Sequence, residues 1–150
     1  MGLRSVFTLI LLWATSAANV TSSADPEMAD LTIDTRHRCV ALHVELATST
    51  EARRAGLQHR TSLPEHGGML FINPQSRITV MWMKDTPMSL DMVFINTDGK
   101  IVRIAERTTP QSLKRISSGV PAKAVLEIKG GRADDLGIKV GDEVSYGLSK

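Results

Sequence analysis

The 150-residue sequence predicts a mainly β domain: a compact sandwich or barrel of about seven or eight strands, with one short helix near residues 49–60. Three observations carry this. Short segments alternate apolar and polar side chains at period two. Turn-forming dipeptides recur between them at short spacing. Only one stretch combines helix-start chemistry with helical spacing. The length has room for one domain and not two, and the chain holds no repeat, low-complexity tract or linker.

The first 24 residues stand apart. Arg4 precedes an uncharged apolar run, Val6 to Ala14, and small residues follow. This is the three-part pattern of a secretory leader, with cleavage expected after Ala18 or Ala24. The run is too short to span a bilayer, which takes roughly 20 apolar residues. A periplasmic or secreted protein is therefore expected, with no transmembrane segment in the mature chain.

The elements then follow in order. Residues 25–38 read as an N-terminal extension, polar over 25–30, with a first strand at Leu31–Thr35; residues 39–150 read as the domain. Val40, Leu42, Val44 and Leu46 alternate with Ala41, His43 and Glu45, a half-buried strand. Thr48-Ser49-Thr50-Glu51 has the form of a capping box and opens the helix, whose stability Gly56 lowers. Met69–Ile72 and Ile78–Met83 read as two strands separated at Asn73-Pro74. Leu90–Ile95 runs into Asp98-Gly99, a hairpin turn, with Ile101–Ala105 as its partner. Ala124–Ile128 is a further strand. Ala133–Leu136 is one helical turn stopped at Gly137. Glu143–Tyr146 follows the Gly141-Asp142 turn.

Composition narrows the function. A formal net charge of +2 supplies no strongly basic face for nucleic acid. A single cysteine, Cys39, excludes an internal disulfide framework. No His-x-x-x-His pair, P-loop or Gly-x-Ser-x-Gly elbow occurs, so no metal, nucleotide or esterase site is signalled. No cofactor is expected, and a monomer is.

Several segments together carry a family resemblance. They are Glu51-Ala52-Arg53-Arg54-Ala55-Gly56-Leu57 with Arg60 and Leu63, Gly68-Met69-Leu70-Phe71, Trp82-Met83-Lys84-Asp85-Thr86 with Leu90-Asp91, and Val125-Leu126-Glu127-Ile128 with Gly131 and Gly141-Asp142. In order and spacing this resembles the "domain of unknown function 192" family of bacteria and archaea, over about residues 40–147. The resemblance implies a small, often exported, mainly β domain and no established activity. Gln58 and Asp85 stand where that family usually has methionine and asparagine.

The central segment supplies the leading candidate site. Trp82, Lys84, Asp85 and Thr86 emerge together at a strand end that Pro87 terminates. An apolar platform beside a few converging polar groups suits a small polar ligand; the simpler alternative is a turn with a surface Lys–Asp pair. Asp91 alternates with Val93 and Ile95, which puts a carboxylate on an apolar face in need of a partner. Lys84 and Arg60 are candidate partners, and turn amides are the alternative. Asp91 and Arg60 would orient the rim from behind. Glu127 shares a face with Val125 as a rim residue.

The expectation is a non-enzymatic binding or accessory domain of the cell envelope, taking a small polar ligand or an envelope protein. A hydrolase using Asp91 and Glu127 as an acid–base pair is one alternative. Periplasmic Cu(I) binding by Met81, Met83, Met88 and Met92 is another, since thioethers select that ion; methionine as core filler is the plainer reading.

Overall fold

The computed structural model describes residues 25–148; the leader expected over 1–24 lies outside them. The strands are β1 (Met28–Asp34), β2 (Cys39–Ala47), β3 (Gly67–Met81), β4 (Leu90–Ile95), β5 (Ile101–Ala105), β6 (Ile116–Lys129) and β7 (Glu143–Leu148). Two short helices accompany them, α1 (Thr50–Ala55) and α2 (Arg132–Leu136). All seven strands form one sheet in the order β5-β4-β6-β3-β2-β1-β7. The sheet curls into a half-barrel. Its two edges meet where the Ile101 N–H donates to the Asp142 carbonyl at 2.9 Å and the Val144 N–H to the Gly99 carbonyl at 2.7 Å. The expected β barrel or sandwich is thus the fold.

Every neighbouring pair is antiparallel except β2 and β3. A parallel pair needs a crossover of a dozen or more residues. The segment from residue 48 to 66, which contains α1, supplies it and lays that helix across the outer face of the sheet.

The sheet buries apolar residues on both faces where β3, β4 and β6 meet. The inner cluster holds Leu31, Ile33, Leu42, Val44, Leu70, Val93, Leu126 and Ile128. The outer cluster holds Leu57, Met69, Phe71, Met83, Leu90, Met92, Phe94 and Val125. Burial on both sides is why β4 reads as an unbroken apolar run, and all six of its residues are buried. Close packing of β3 on β6 needs glycine at 68: a Cβ there would lie 2.5 Å from the Glu127 carbonyl oxygen and 3.0 Å from Ile128 Cγ2.

Four local expectations are corrected. The first strand starts earlier than the expected Leu31: β1 begins at Met28, and Ala29 is fully buried. Asn73-Pro74 does not separate two strands. β3 runs through it for 15 residues, with register shifts against β6 between Ile72 and Arg77 and between Ile78 and Val80. A bulge is where a ladder tolerates proline, which has no N–H to donate. β6 is likewise longer than its apolar stretch, because residues 116–123 pair through their backbone without an alternating pattern. The helix is shorter than expected. Ser49, not Thr48, is its N-cap, accepting from the Ala52 N–H at 3.0 Å. That moves Glu51 out of the capping-box position, and Gly56 ends the helix at φ +49°.

Candidate functional site

The crossover and the segment after β3 build one cavity on the outer face. Beyond α1 the chain turns at Leu57, which is buried, and His59 takes φ +63°. The His59 N–H donates to the Asp85 carbonyl at 2.6 Å, tying the end of the helix to the turn that follows Trp82. Asp85 takes φ +52°, the region where Asp and Asn are the tolerated non-glycine residues. The Thr86 Oγ1–H donates to the Lys84 carbonyl at 3.1 Å and its N–H to the Met83 carbonyl at 3.1 Å, so a buried threonine closes the turn.

Between these two segments lies a cavity of about 130 Å³, walled by Arg54, Leu57, Phe71, Trp82, Lys84 and Glu127, with Thr86 and Met81 also lining it. Glu127 forms its floor. The central strand β6 carries it, opposite Met69 on β3 and Met92 on β4. It is only 4% exposed. Burial pushes its carboxyl up to about 8, so it holds a proton at neutral pH. No described residue donates a hydrogen bond to that carboxyl or pairs with it. A group so placed costs desolvation and recovers nothing within the fold.

The mouth is cationic. Arg54 is exposed on α1 and its guanidinium has no acidic partner among the described residues. Lys84 is half exposed, 3.7 Å from Asp85 Oδ2, with Nζ 5.9 Å from the centre of the Trp82 ring. Arg53, beside them, is committed: its guanidinium donates to the carbonyls of Thr48 and, at 3.2 Å, of Ile72. Trp82 is 53% exposed, an aromatic face open to solvent. It also walls two adjoining grooves, one toward Glu51 and Gln58, the other toward Leu113 and Arg115.

Trp82, Lys84, Thr86 and Glu127 therefore converge, and the other candidates do not. Asp85 lies outside the cavity. Asp91 pairs with Ile128 across the sheet and Glu127 with Met92, and directly opposed residues share a face. The two carboxyl groups point to opposite faces, so the acid–base pair is corrected. Asp91 instead accepts backbone N–H groups from Arg107 at 2.7 Å, Gly131 at 3.0 Å and Ala133 at 2.8 Å. Arg60 grips the Glu45 carboxylate with both guanidinium nitrogens, Nη2 lying 2.6 Å from Oε2. That bond holds the guanidinium above its ordinary value. Neither Asp91 nor Arg60 supports the rim.

The methionines resolve as packing. Met83 and Met92 are buried in the outer cluster, and Met81 and Met88 pack against it. The Met83 sulfur accepts from the Thr108 Oγ1–H at 3.1 Å. Of the four, Met81 alone lines the cavity, so the soft-metal arrangement is corrected as well. Arg54 and Phe71, which line the cavity, were not among the site residues expected from the sequence. The pattern Arg53-Arg54 ahead of Gly56 was the available signal. No group of three or more His, Cys, Asp or Glu among the described residues could hold a metal ion. No described helix is long and apolar enough to cross a membrane.

Comparison with known proteins adds a family and two solved folds. The family model DUF192, described as "Uncharacterized ACR", matches residues 31–146. No curated protein matches the chain. A crystal structure of a "putative transcription regulator" from Sinorhizobium meliloti 1021 is similar at 36% identity. The match covers 81% of this chain and 95% of that one, with a TM-score of 0.79. A protein of unknown function from Novosphingobium aromaticivorans DSM 12444 is similar at 30% identity, covering 87% of this chain and 94% of that one, also with a TM-score of 0.79.

Proposed function

Because the chain belongs to the DUF192 family, whose description names no reaction, we propose a function from the cavity itself: this is a non-enzymatic, exported accessory domain that binds a small ligand under Trp82. The observation that carries the reading is the buried Glu127 carboxyl, which faces the cavity and has no partner within the fold. Its oxygens open onto the cavity, so a ligand seated there would complete its hydrogen bonding. The wall above it adds an apolar, aromatic face and two side-chain cations. The lining holds one carboxyl and no second acid, and its one hydroxyl, on Thr86, donates to the Lys84 carbonyl, which favours binding over turnover. The leader pattern at residues 1–24 supports export, and with it the envelope as the place of action. The chain recovered from an envelope fraction should then have the mass of a product cut after Ala18 or Ala24; an intact N-terminus would count against export.

Trp82 is itself the reporter. The sequence holds two tryptophans, Trp13 and Trp82, so in a Trp13→Phe background only Trp82 emits. Envelope sugars, amino acids, short peptides and nucleotides are screened by emission and by thermal shift, where a ligand at 100 times its Kd adds about 2.7 kcal/mol. A hit should lose about tenfold or more in affinity in Trp82→Ala, the scale of a buried aromatic contact, and less in Lys84→Ala. It should be recovered chemically unchanged. A ligand indifferent to both variants, or consumed on incubation, would overturn the reading.

A further inference from the structure

Resting on that reading of the cavity, we propose that it takes the carboxylate end of an elongated ligand, held between the Glu127 carboxyl as hydrogen-bond donor and the Arg54 and Lys84 side chains at the mouth. The body of the ligand lies along Trp82, outside the cavity.

Size argues first. The cavity is about 130 Å³, close to the roughly 150 Å³ that admits a single benzene ring. A carboxylate with its first carbons fits inside, and a ligand longer than that extends past the mouth. Trp82 walls the cavity and both adjoining grooves, so the bulk has an aromatic surface to lie on whichever way it turns.

Charge argues second. The charged and titratable side chains lining the cavity are Arg53 and Arg54 from α1, Lys84 from the turn after β3, and Glu127 from β6. The residues opposite Glu127 on the neighbouring strands, Met69 and Met92, are uncharged. Arg53 is occupied by backbone carbonyls, which leaves Arg54 and Lys84 to meet the ligand. The nearby carboxylates, Asp85 beside Lys84 and Glu51 on the outer groove, lie outside the cavity. An amine would be repelled at this mouth and would find a neutral acid at the bottom. A carboxylate finds cations at the mouth and an O–H at the bottom, where two carboxyl groups share one proton.

Binding on these terms needs Glu127 protonated. Its carboxyl titrates near 8, so affinity for a carboxylate should fall about tenfold between pH 7 and pH 9. Glu127→Gln keeps a neutral donor of nearly the same shape and should remove that fall.

The test uses the full-length Trp13→Phe chain and three probes that differ only at one end: 3-phenylpropionate, 3-phenylpropionamide and 3-phenylpropylamine. Trp82 emission is followed at pH 7 and pH 9. The expected result is binding of the acid, at least tenfold weaker binding of the amide, and none of the amine. The acid should weaken tenfold at pH 9 in the parent and stay constant in Glu127→Gln. Arg54→Ala, on an exposed helix face, should weaken the acid and leave the fold intact by circular dichroism. If the amide or the amine binds as well as the acid, the inference fails while the cavity stands as a binding site. If the acid fails to bind although another screened ligand perturbs Trp82, the inference fails in the same way. If nothing perturbs Trp82, the reading of the cavity falls with it.

Discussion

Asp91→Ala is expected to cost about 3–6 kcal/mol and to leave the domain unfolded or close to it at 37 °C. The side chain is fully buried on the inner face of the sheet and accepts three backbone N–H groups, from Arg107, Gly131 and Ala133. Truncation to a methyl group leaves those donors facing the gap. An orphaned buried donor costs about 1–3 kcal/mol, and three sharing one space cost less than three times that. The sum is a large part of the 5–15 kcal/mol that holds a typical domain together. The bonds also join distant parts of the chain. Arg107 follows β5, while Gly131 and Ala133 open α2, which carries Ala133 and Leu136 into the inner cluster. Losing the carboxylate therefore loosens both the connection and the helix. Asp91→Asn keeps one acceptor oxygen and turns an N–H₂ toward the donors, so it should fall between parent and alanine. Urea unfolding of the three proteins decides this. A loss below about 1 kcal/mol in the alanine variant would mean that water replaces the carboxylate and that Asp91 is not the clamp described.

Asp91 shows what was legible in the sequence and where legibility stopped. Its alternation with Val93 and Ile95 marked a carboxylate on an apolar face. Its partners were out of reach, because they are backbone amides up to 42 positions away, and an amide leaves no trace in residue type. β4 and β5 were read at their observed bounds and β2 to within a residue, because each lies in one uninterrupted apolar or alternating run. β3 and β6 were read short, since a bulge at Asn73-Pro74 looks like a turn until its partner strand is known. Glu127 was placed on the face of Val125 and taken for a rim residue. That face is closed by the crossover carrying α1 and Leu57, so its burial depends on a long-range contact no local pattern encodes. The convergence of Trp82, Lys84 and Thr86 was readable because three residues of one turn must stay together. Arg60 was drawn to the wrong carboxylate: Glu45, its partner, belongs to a half-buried strand position that looked solvent-facing.

Glu127 also sets the second large effect, a pH dependence of stability opposite to that of an ordinary paired carboxylate. Burial raises its carboxyl from 4.5 to about 8 in the folded domain. In the unfolded chain the proton leaves near 4.5; in the folded chain it stays until about 8. Between these values the folded state binds more protons, so stability falls as pH rises. The loss begins near pH 4.5 and is complete once pH passes 8. At roughly 1.4 kcal/mol per pH unit its full size is on the order of 4–5 kcal/mol, reduced by any water the cavity admits. Urea midpoints at unit steps from pH 5 to pH 9 should show the parent weakening steadily relative to Glu127→Gln, with the gap widest at pH 9. Parallel curves would mean that the floor of the cavity is effectively solvated. Glu127→Met makes the complementary case. With Met69 and Met92 opposite on either side, a methionine completes an apolar patch and should be more stable than the parent at pH 7 and above. It should also bind no carboxylate. Greater stability with lost binding is the signature of a group kept for its ligand, since packing alone would favour the methionine.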